Sequence, residues 1–239
     1  MTDEGLADRI AAMAPPVRRN HSSASEGSDL LAELASTAPT VAALAARGEV
    51  RRYRKGMLLI QEGDQGDTLY IVLEGRLRAF SEGDNGREIT YGIYGVGEFI
   101  GEMSLDGGPR SASVETLVDT VCAVITRATL AQYIADEPAF AFELLAKVIR
   151  RARAATVSAK QLALNDVYGR LKLLLESAAV PQEDGTLWVA ERLTHHQMAQ
   201  HLGCSREMVS RVMKDLQAGG LAVVQDKGLR LKGRLPMRW

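Results

Sequence analysis

Between Thr194 and Leu216 the chain carries groups able to read a nucleic-acid duplex. Glu207, Ser210, Arg211 and Lys214 recur at helical spacing, with Arg206 at the open end of the row. An arginine can bridge O6 and N7 of guanine, and a carboxylate can accept from cytosine N4. A glutamate in such a row repels phosphates, so it makes sense mainly as a base reader. Ser205 and Lys214 are better placed for phosphates, which position a helix without reading sequence. A second group lies near the middle of the chain. Gly101-Glu102-Met103-Ser104-Leu105 can form a short helical turn whose free amides face an anion. Arg110 can add a charge-assisted, bidentate grip on a phosphate. Ser111 adds a hydroxyl and its own amide, Ala112 follows it, and Glu102 can accept from a ribose 2′-hydroxyl.

Other chemistries are excluded. No histidine stands between His21 and His195, so a cupin-like metal site on strands cannot form, and iron or haem sensing is disfavoured. His195, His196 and His201 lack the His-Glu-x-x-His pattern and are read as surface or phosphate-facing groups. No nucleophile motif or P-loop is present, and Gly95–Gly97 lacks the strand–turn–helix context of a dinucleotide site. We therefore expect no catalytic residues, no metal and no enzyme. The two cysteines, Cys122 and Cys204, cannot build a disulfide framework, which fits a reducing cytoplasm. No window approaches the roughly 18 apolar residues of a membrane span.

Charge divides the chain. Residues 1–144 hold 13 Lys+Arg against 22 Asp+Glu, a balance of −9; residues 145–239 hold 16 against 8, a balance of +8. The overall charge of −1 thus hides an acidic half and a basic half, and the basic half should favour a polyanion.

The elements follow from periodicity and punctuation. Residues 1–27 read as a flexible tail, and 28–136 as an N-terminal domain. In that domain Ser28 caps a first helix carrying Leu30, Leu31 and Leu34. Pro39 and Thr40 start a second helix that Gly48 ends. From about 49 to 127 short alternating strands are cut by glycines, with a turn at Glu74-Gly75 and a hairpin tip at Gly83-Asp84-Asn85-Gly86. This texture implies an antiparallel sandwich or roll. Residues 137–165 form one long helix and a hinge. Leu145, Val148, Ala152, Ala155, Ala159 and Leu162 make an a/d stripe that suits either packing on its own domain or a dimer seam. Charged flanks and small central residues favour the seam. Residues 166–239 form a DNA-binding domain. Thr194 and Gln197 make a capping box, Gly203-Cys204-Ser205 a tight turn, and Ser205 the next N-cap. Val209, Val212, Met213 and Leu216 face the core. Leu221–Val224 and Leu229–Leu231 form a hairpin wing. The fold class is α+β: an N-terminal antiparallel β-roll, a long dimerisation helix and a C-terminal winged helix-turn-helix.

Taken with Gly97-Glu98-Phe99-Ile100-Gly101-Glu102, Pro109-Arg110-Ser111-Ala112 and Gly203-Cys204-Ser205-Arg206-Glu207-Met208-Val209-Ser210-Arg211, the chain resembles the cyclic AMP receptor protein and fumarate–nitrate regulator family of bacterial transcription factors. The match covers about residues 30–235. The resemblance implies a homodimer that binds palindromic double-stranded DNA with TGTGA-like half-sites and that meets RNA polymerase, with the Pro181–Gly185 loop a candidate contact by position. It also implies an allosteric ligand in the β-roll, with no required cofactor. Relatives that bind cyclic AMP place a Thr-Ser pair where this chain has Ala155-Thr156. Ala155 offers no hydrogen bond and leaves more room, and Arg150, Arg151 and Arg153 lie within a turn. Cyclic AMP and cyclic di-GMP are therefore both candidates. Three alternatives stay open. Glu102 and Arg110 could pair with each other in an empty roll, the DNA binding could be independent of ligand, or the chain could be a nucleotide-binding subunit acting on a protein.

Overall fold

The computed structural model describes residues 23–84, 86–190, 193–225 and 228–237. Helices α1 (Ser23–Thr37) and α2 (Pro39–Ala45) lead into strands β1 (Glu49–Tyr53), β2 (Leu58–Ile60), β3 (Thr68–Glu74), β4 (Leu77–Glu82), β5 (Glu88–Tyr94), β6 (Phe99–Ile100), β7 (Ser113–Thr116) and β8 (Thr120–Thr126). They form two antiparallel sheets, in the orders β1-β8-β3-β6 and β2-β7-β4-β5. The alternation along β3 explains how they face each other. Leu69, Ile71 and Leu73 are buried under Leu34, Leu44, Leu130 and Phe140 on the helical side. Val72 points the other way, into a smaller core with Leu77, Val114 and Cys122. Cys122 is fully buried there, and burial pushes its thiol up to about 12.

The glycine punctuation does local work at the Glu74-Gly75 turn. Gly75 has φ +88°, and a β-carbon there would lie 2.5 Å from Thr120 Oγ1 and 2.6 Å from the Asp119 carbonyl. Only glycine combines that backbone angle with that approach. The hairpin at residues 83–86 closes through Gly83 N–H to Arg87 O at 2.8 Å; Asn85 lies outside the described residues.

Three expectations about the helices change. The segment assigned to a tail through residue 27 is already helical from Ser23, so Ser28 lies inside α1 and does not cap it; residues 1–22 lie outside the described residues. A helix not anticipated, α3 (Arg127–Asp136), follows β8, with Thr126 accepting from Thr129 N–H as its cap. The long helix α4 begins at Ala139, with Pro138 as its N-cap residue, and runs to Leu164. At 26 residues it spans about 39 Å. Phe140 is its buried anchor; Leu145, Val148 and Leu162 remain 52%, 36% and 43% exposed, and Ala152, Ala155 and Ala159 are exposed too. The stripe is therefore not covered by its own domain.

Asn165 and Asp166 are extended, and Asp166 caps α5 (Val167–Ser177) by accepting from Gly169 N–H at 2.7 Å. After β9 (Val180–Pro181) and β10 (Leu187–Val189) come α6 (His195–Leu202), α7 (Arg206–Ala218) and the wing strands β11 (Ala222–Gln225) and β12 (Gly228–Leu231). The wing tip at 226–227 lies outside the described residues. Leu171, Met198, Val209, Met213, Leu216 and Leu229 fill a separate core. This domain rests on the sensor. Gln200 of α6 donates to Glu88 of β5, and His201 is half-buried beside Arg78.

Two predictions follow from this packing. Gly75→Ala should destabilise the sensor by about 1–3 kcal/mol, read as a lower urea midpoint; an unchanged midpoint contradicts the turn geometry. Burial and then the Arg78 charge hold the His201 pKa below its ordinary 6.5. The folded state therefore disfavours protonated His201, and its contribution is complete above pH 6.5 and lost as pH falls below it. Melting temperature should fall on acidification, and less steeply in His201→Gln; equal slopes contradict this placement.

Candidate functional site

Phe99 and Ile100 pair with Ile71 and Tyr70, which aims the next residues across the mouth of the roll. Gly101 then turns with φ +97° into a single 3-10 turn, Glu102–Ser104. A β-carbon on Gly101 would stand 2.6 Å from Thr68 O and 2.8 Å from Arg110 Nη1, so the glycine lets a guanidinium lie directly under the turn.

Arg110 is 7% exposed. It donates to Gly101 O at 3.0 Å, Ser104 Oγ at 2.8 Å and Thr68 Oγ1 at 2.9 Å. All three acceptors are neutral. Among the described residues no carboxylate pairs with it. A guanidinium does not deprotonate in proteins, so a full charge is held at the pocket floor by neutral oxygens. The expected alternative, an Arg110–Glu102 pair, is not formed. Glu102 pairs instead with Arg151 of α4 at 2.7 Å. Ser111 and Met103 are exposed at the mouth, with the Ser111 hydroxyl on Met103 Sδ at 3.3 Å, and Ala112 is partly covered.

The long helix grips this region through two cations one turn apart. Lys147 Nζ donates to Gly97 O at 2.8 Å and lies 4.6 Å from the Phe99 ring centroid. Arg151 donates to Phe99 O and lies 4.5 Å from the Tyr94 ring centroid. Burial lowers the Lys147 pKa, partly offset by Glu98. Arg151 was expected at the ligand; Lys147 was not. Its signal in the sequence was its place one helical turn before Arg151. Ala155 and Thr156 are exposed further along the helix, and the Thr156 hydroxyl bonds Ala152 O at 3.0 Å. The structure does not bring these two residues to the cassette of the same chain.

In the C-terminal domain Thr194 and Gln197 form the capping box in full. Ser205 accepts from Met208 N–H at 3.2 Å and caps α7. Val209, Met213 and Leu216 are buried with Val212 packed beside them, which turns Arg206, Glu207, Arg211 and Lys214 to solvent. Glu207 folds back on the helix start. Its own amide, then the Ser205 hydroxyl, hold its carboxyl below the usual range, with Arg206 and Arg87 adding. Arg211 rests on Met208 Sδ at 2.8 Å. Ser210 departs from the expected outward row: it is half-buried, with Oγ 2.9 Å from His195 Nδ1. His195 and His201 are likewise half-buried and not surface groups, because α6 packs α7 on one side and the sensor on the other. Among the described residues no cluster of His, Cys, Asp and Glu could hold a metal ion, and no helix is long and apolar enough to cross a membrane.

Comparison with known proteins agrees with both halves. The cyclic nucleotide-binding domain family matches residues 50–137, and the Crp-like helix-turn-helix domain family matches residues 171–234. The CRP-like cAMP-activated global transcriptional regulator of Mycobacterium tuberculosis is 33% identical over 193 residues, covering 79% of this chain and 86% of that protein. The CRP-like protein Clp of Xanthomonas euvesicatoria is 32% identical over 212 residues, 84% of this chain and 91% of that one. The solved structure of the c-di-GMP responsive global regulator CLP of Xanthomonas campestris aligns with a TM-score of 0.71 at 30% identity, covering 82% and 99% of the two chains. With a β-roll, a long helix and a winged helix-turn-helix, the chain belongs to the cyclic AMP receptor protein and fumarate–nitrate regulator family, and it is a DNA-binding transcription regulator, not an enzyme.

Proposed function

We propose that the chain acts as a homodimer whose sequence-specific DNA binding is gated by a cyclic nucleotide seated at the β-roll mouth. One observation carries this reading: the buried Arg110 guanidinium, held by neutral oxygens beneath the 3-10 turn Glu102–Ser104. A phosphodiester supplies the missing negative charge. Arg110, with the amides of Gly101, Glu102, Met103 and Ser104, takes the phosphate; Ser111 and Ala112 close over it. Glu102 accepts from the ribose hydroxyl while Arg151 remains on its other oxygen. One buried guanidinium for one phosphodiester favours cyclic AMP, the activator named for the Mycobacterium tuberculosis relative.

Cyclic di-GMP is the second reading. The absent hydrogen-bonding group at Ala155 favours it, as does the likeness to the c-di-GMP responsive regulator. In either case Ala155 and Thr156 serve the base from the partner protomer. Leu145, Val148, Ala152, Ala155, Ala159 and Leu162 form the seam, which the open stripe on α4 supports.

Arg151 links ligand to helix, because the group that meets Glu102 belongs to α4. The extended Asn165-Asp166 joint passes the helix arrangement to α5. The two recognition helices must stand one DNA turn apart, roughly 34 Å. Arg206, Glu207 and Arg211 read bases, and Thr194, Ser205 and Lys214 hold phosphates, with Ser210 buttressing α6 from inside. RNA polymerase is the expected partner of the exposed Pro181–Gly185 turn. The ligand acts only through its differential affinity for the DNA-competent arrangement, and a nearly complete switch needs about 5.5 kcal/mol.

Parallel calorimetric titrations with cyclic AMP, cyclic GMP and cyclic di-GMP test the ligand class. Saturable binding of one of the three supports the reading, and three flat titrations with unaltered DNA affinity contradict it. Arg110→Ala should abolish the ligand response while nonspecific DNA binding survives; ligand-stimulated binding equal to wild type removes the cassette assignment. Glu207→Ala should lose roughly 1–3 kcal/mol of specific binding and relax selection at one base pair, measured by selection from a randomised half-site; unchanged selection contradicts its role.

A further inference from the structure

The sensor and the reading head of one chain are joined by a polar contact that the ligand pocket does not use. Arg78 of β4 is 7% exposed, stacks 4.2 Å from the Phe80 ring centroid and pairs with both Glu115 and Glu88 at 2.7 Å. The Glu88 carboxylate is therefore held from inside the sensor. The oxygen that meets Arg78, Oε2, also accepts from Gln200 Nε2 of α6 at 2.5 Å. The Gln200 amide has a second hydrogen, and His196 Nε2 lies 3.0 Å away to accept it. Beside this network the contact is apolar: a β-carbon on Gly203 would touch Ile89 Cδ1 at 3.6 Å and Leu162 Cδ2 at 3.7 Å.

We propose that Glu88 and Gln200 form a positioning pair that sets the rotation of the recognition helix about the hinge, and so the half-site spacing that the regulator accepts. The proposal rests on the dimeric DNA-reading function given above. The physical reason lies in the joint. The covalent link between α4 and α5 is the two extended residues Asn165 and Asp166, which belong to neither helix and whose hydrogen bonds run to α4 and α5 and not to the sensor. The apolar patch around Gly203 resists separation but has little directional preference, since hydrophobic contact is non-directional. A charge-assisted hydrogen bond is directional and stronger than a neutral one. Gln200 sits on α6, which is fixed to α7 through Met198, Ala199 and Leu202 in the shared core, so the two helices turn as one body. The Ser205 cap stands only five positions after Gln200. In a symmetric dimer the same pair acts twice, and both recognition helices turn together.

The test uses the full-length protein, and Glu88→Gln, Gln200→Leu and the double variant of it. Each is titrated by anisotropy against TGTGA-type palindromes of stepped spacing and against a duplex with one half-site, with and without cyclic AMP or cyclic di-GMP. Wild type should prefer one spacing over its neighbours by about tenfold, the range expected for a hydrogen bond to a charged group. Either substitution should flatten that preference, the double variant should add nothing further, and single-half-site affinity should stay the same. Gln200→Leu leaves the sensor intact, so it answers even if Glu88→Gln unsettles Arg78. Unaltered spacing preference in both single variants, or effects that multiply in the double, overturn the pair. Hydrogen exchange without DNA or nucleotide judges the contact independently: faster exchange across residues 195–202 in each single variant, and no faster in the double, supports it, while wild-type exchange overturns it. Wild type that binds none of these duplexes at any spacing overturns the DNA-reading function, whatever the exchange shows.

Discussion

A guanidinium buried without a carboxylate organises the sensor. Removing a charge from water costs several kcal/mol unless a counter-charge and hydrogen bonds compensate. Arg110 donates hydrogen bonds to Thr68, Gly101 and Ser104, but no carboxylate among the described residues pairs with it. The carboxylate of the adjoining 3-10 turn, Glu102, is engaged by Arg151 of another element. This division of partners leaves the Arg110 charge without a carboxylate among the described residues, which the proposed anion site requires. A simple Arg110–Glu102 pair would neutralise the pocket and leave nothing to bind.

The same division couples the pocket to the helix. Because Glu102 is held by Arg151, and Gly97 O by Lys147, the cassette strand and the long helix share a fixed register. Two helical residues four apart match two carbonyls, that of Gly97 in the turn before β6 and that of Phe99 on β6. Anything that reorganises the cassette therefore acts on α4. Beyond α4 the chain has two ways to orient the winged domain: the extended joint at Asn165-Asp166, and the hairpin contact through Glu88.

Local chemistry was well legible in the sequence. The capping box at Thr194–Gln197, the Ser205 cap and the apolar face of α7 were readable because each is decided within a few residues. The turn over Arg110 was readable because Gly101 and the arginine sit close together in the chain. What escaped depends on distant partners. Glu102–Arg151 is separated by 49 positions, and Glu88–Gln200 by 112. Ser210 shares the spacing of an outward row, yet faces His195 because α6 crosses it there. Helix α3 was missed because it is only ten residues long and its apolar face amounts to Leu130, Tyr133 and Ile134; its stability comes from packing in the sensor core and from the Thr126 cap. The start of α1 at Ser23 was hidden in a run of small and polar residues with no periodicity.

The central claim is that the charge on Arg110 is completed by a phosphodiester. A crystal structure of the protein saturated with the nucleotide that titrates most tightly tests it directly. The account requires phosphate oxygens within hydrogen-bond distance of the Arg110 guanidinium and of amides in the Gly101–Ser104 turn, with Glu102 on a ribose hydroxyl. A nucleotide bound elsewhere, with Arg110 still holding only Thr68, Gly101 and Ser104, contradicts it.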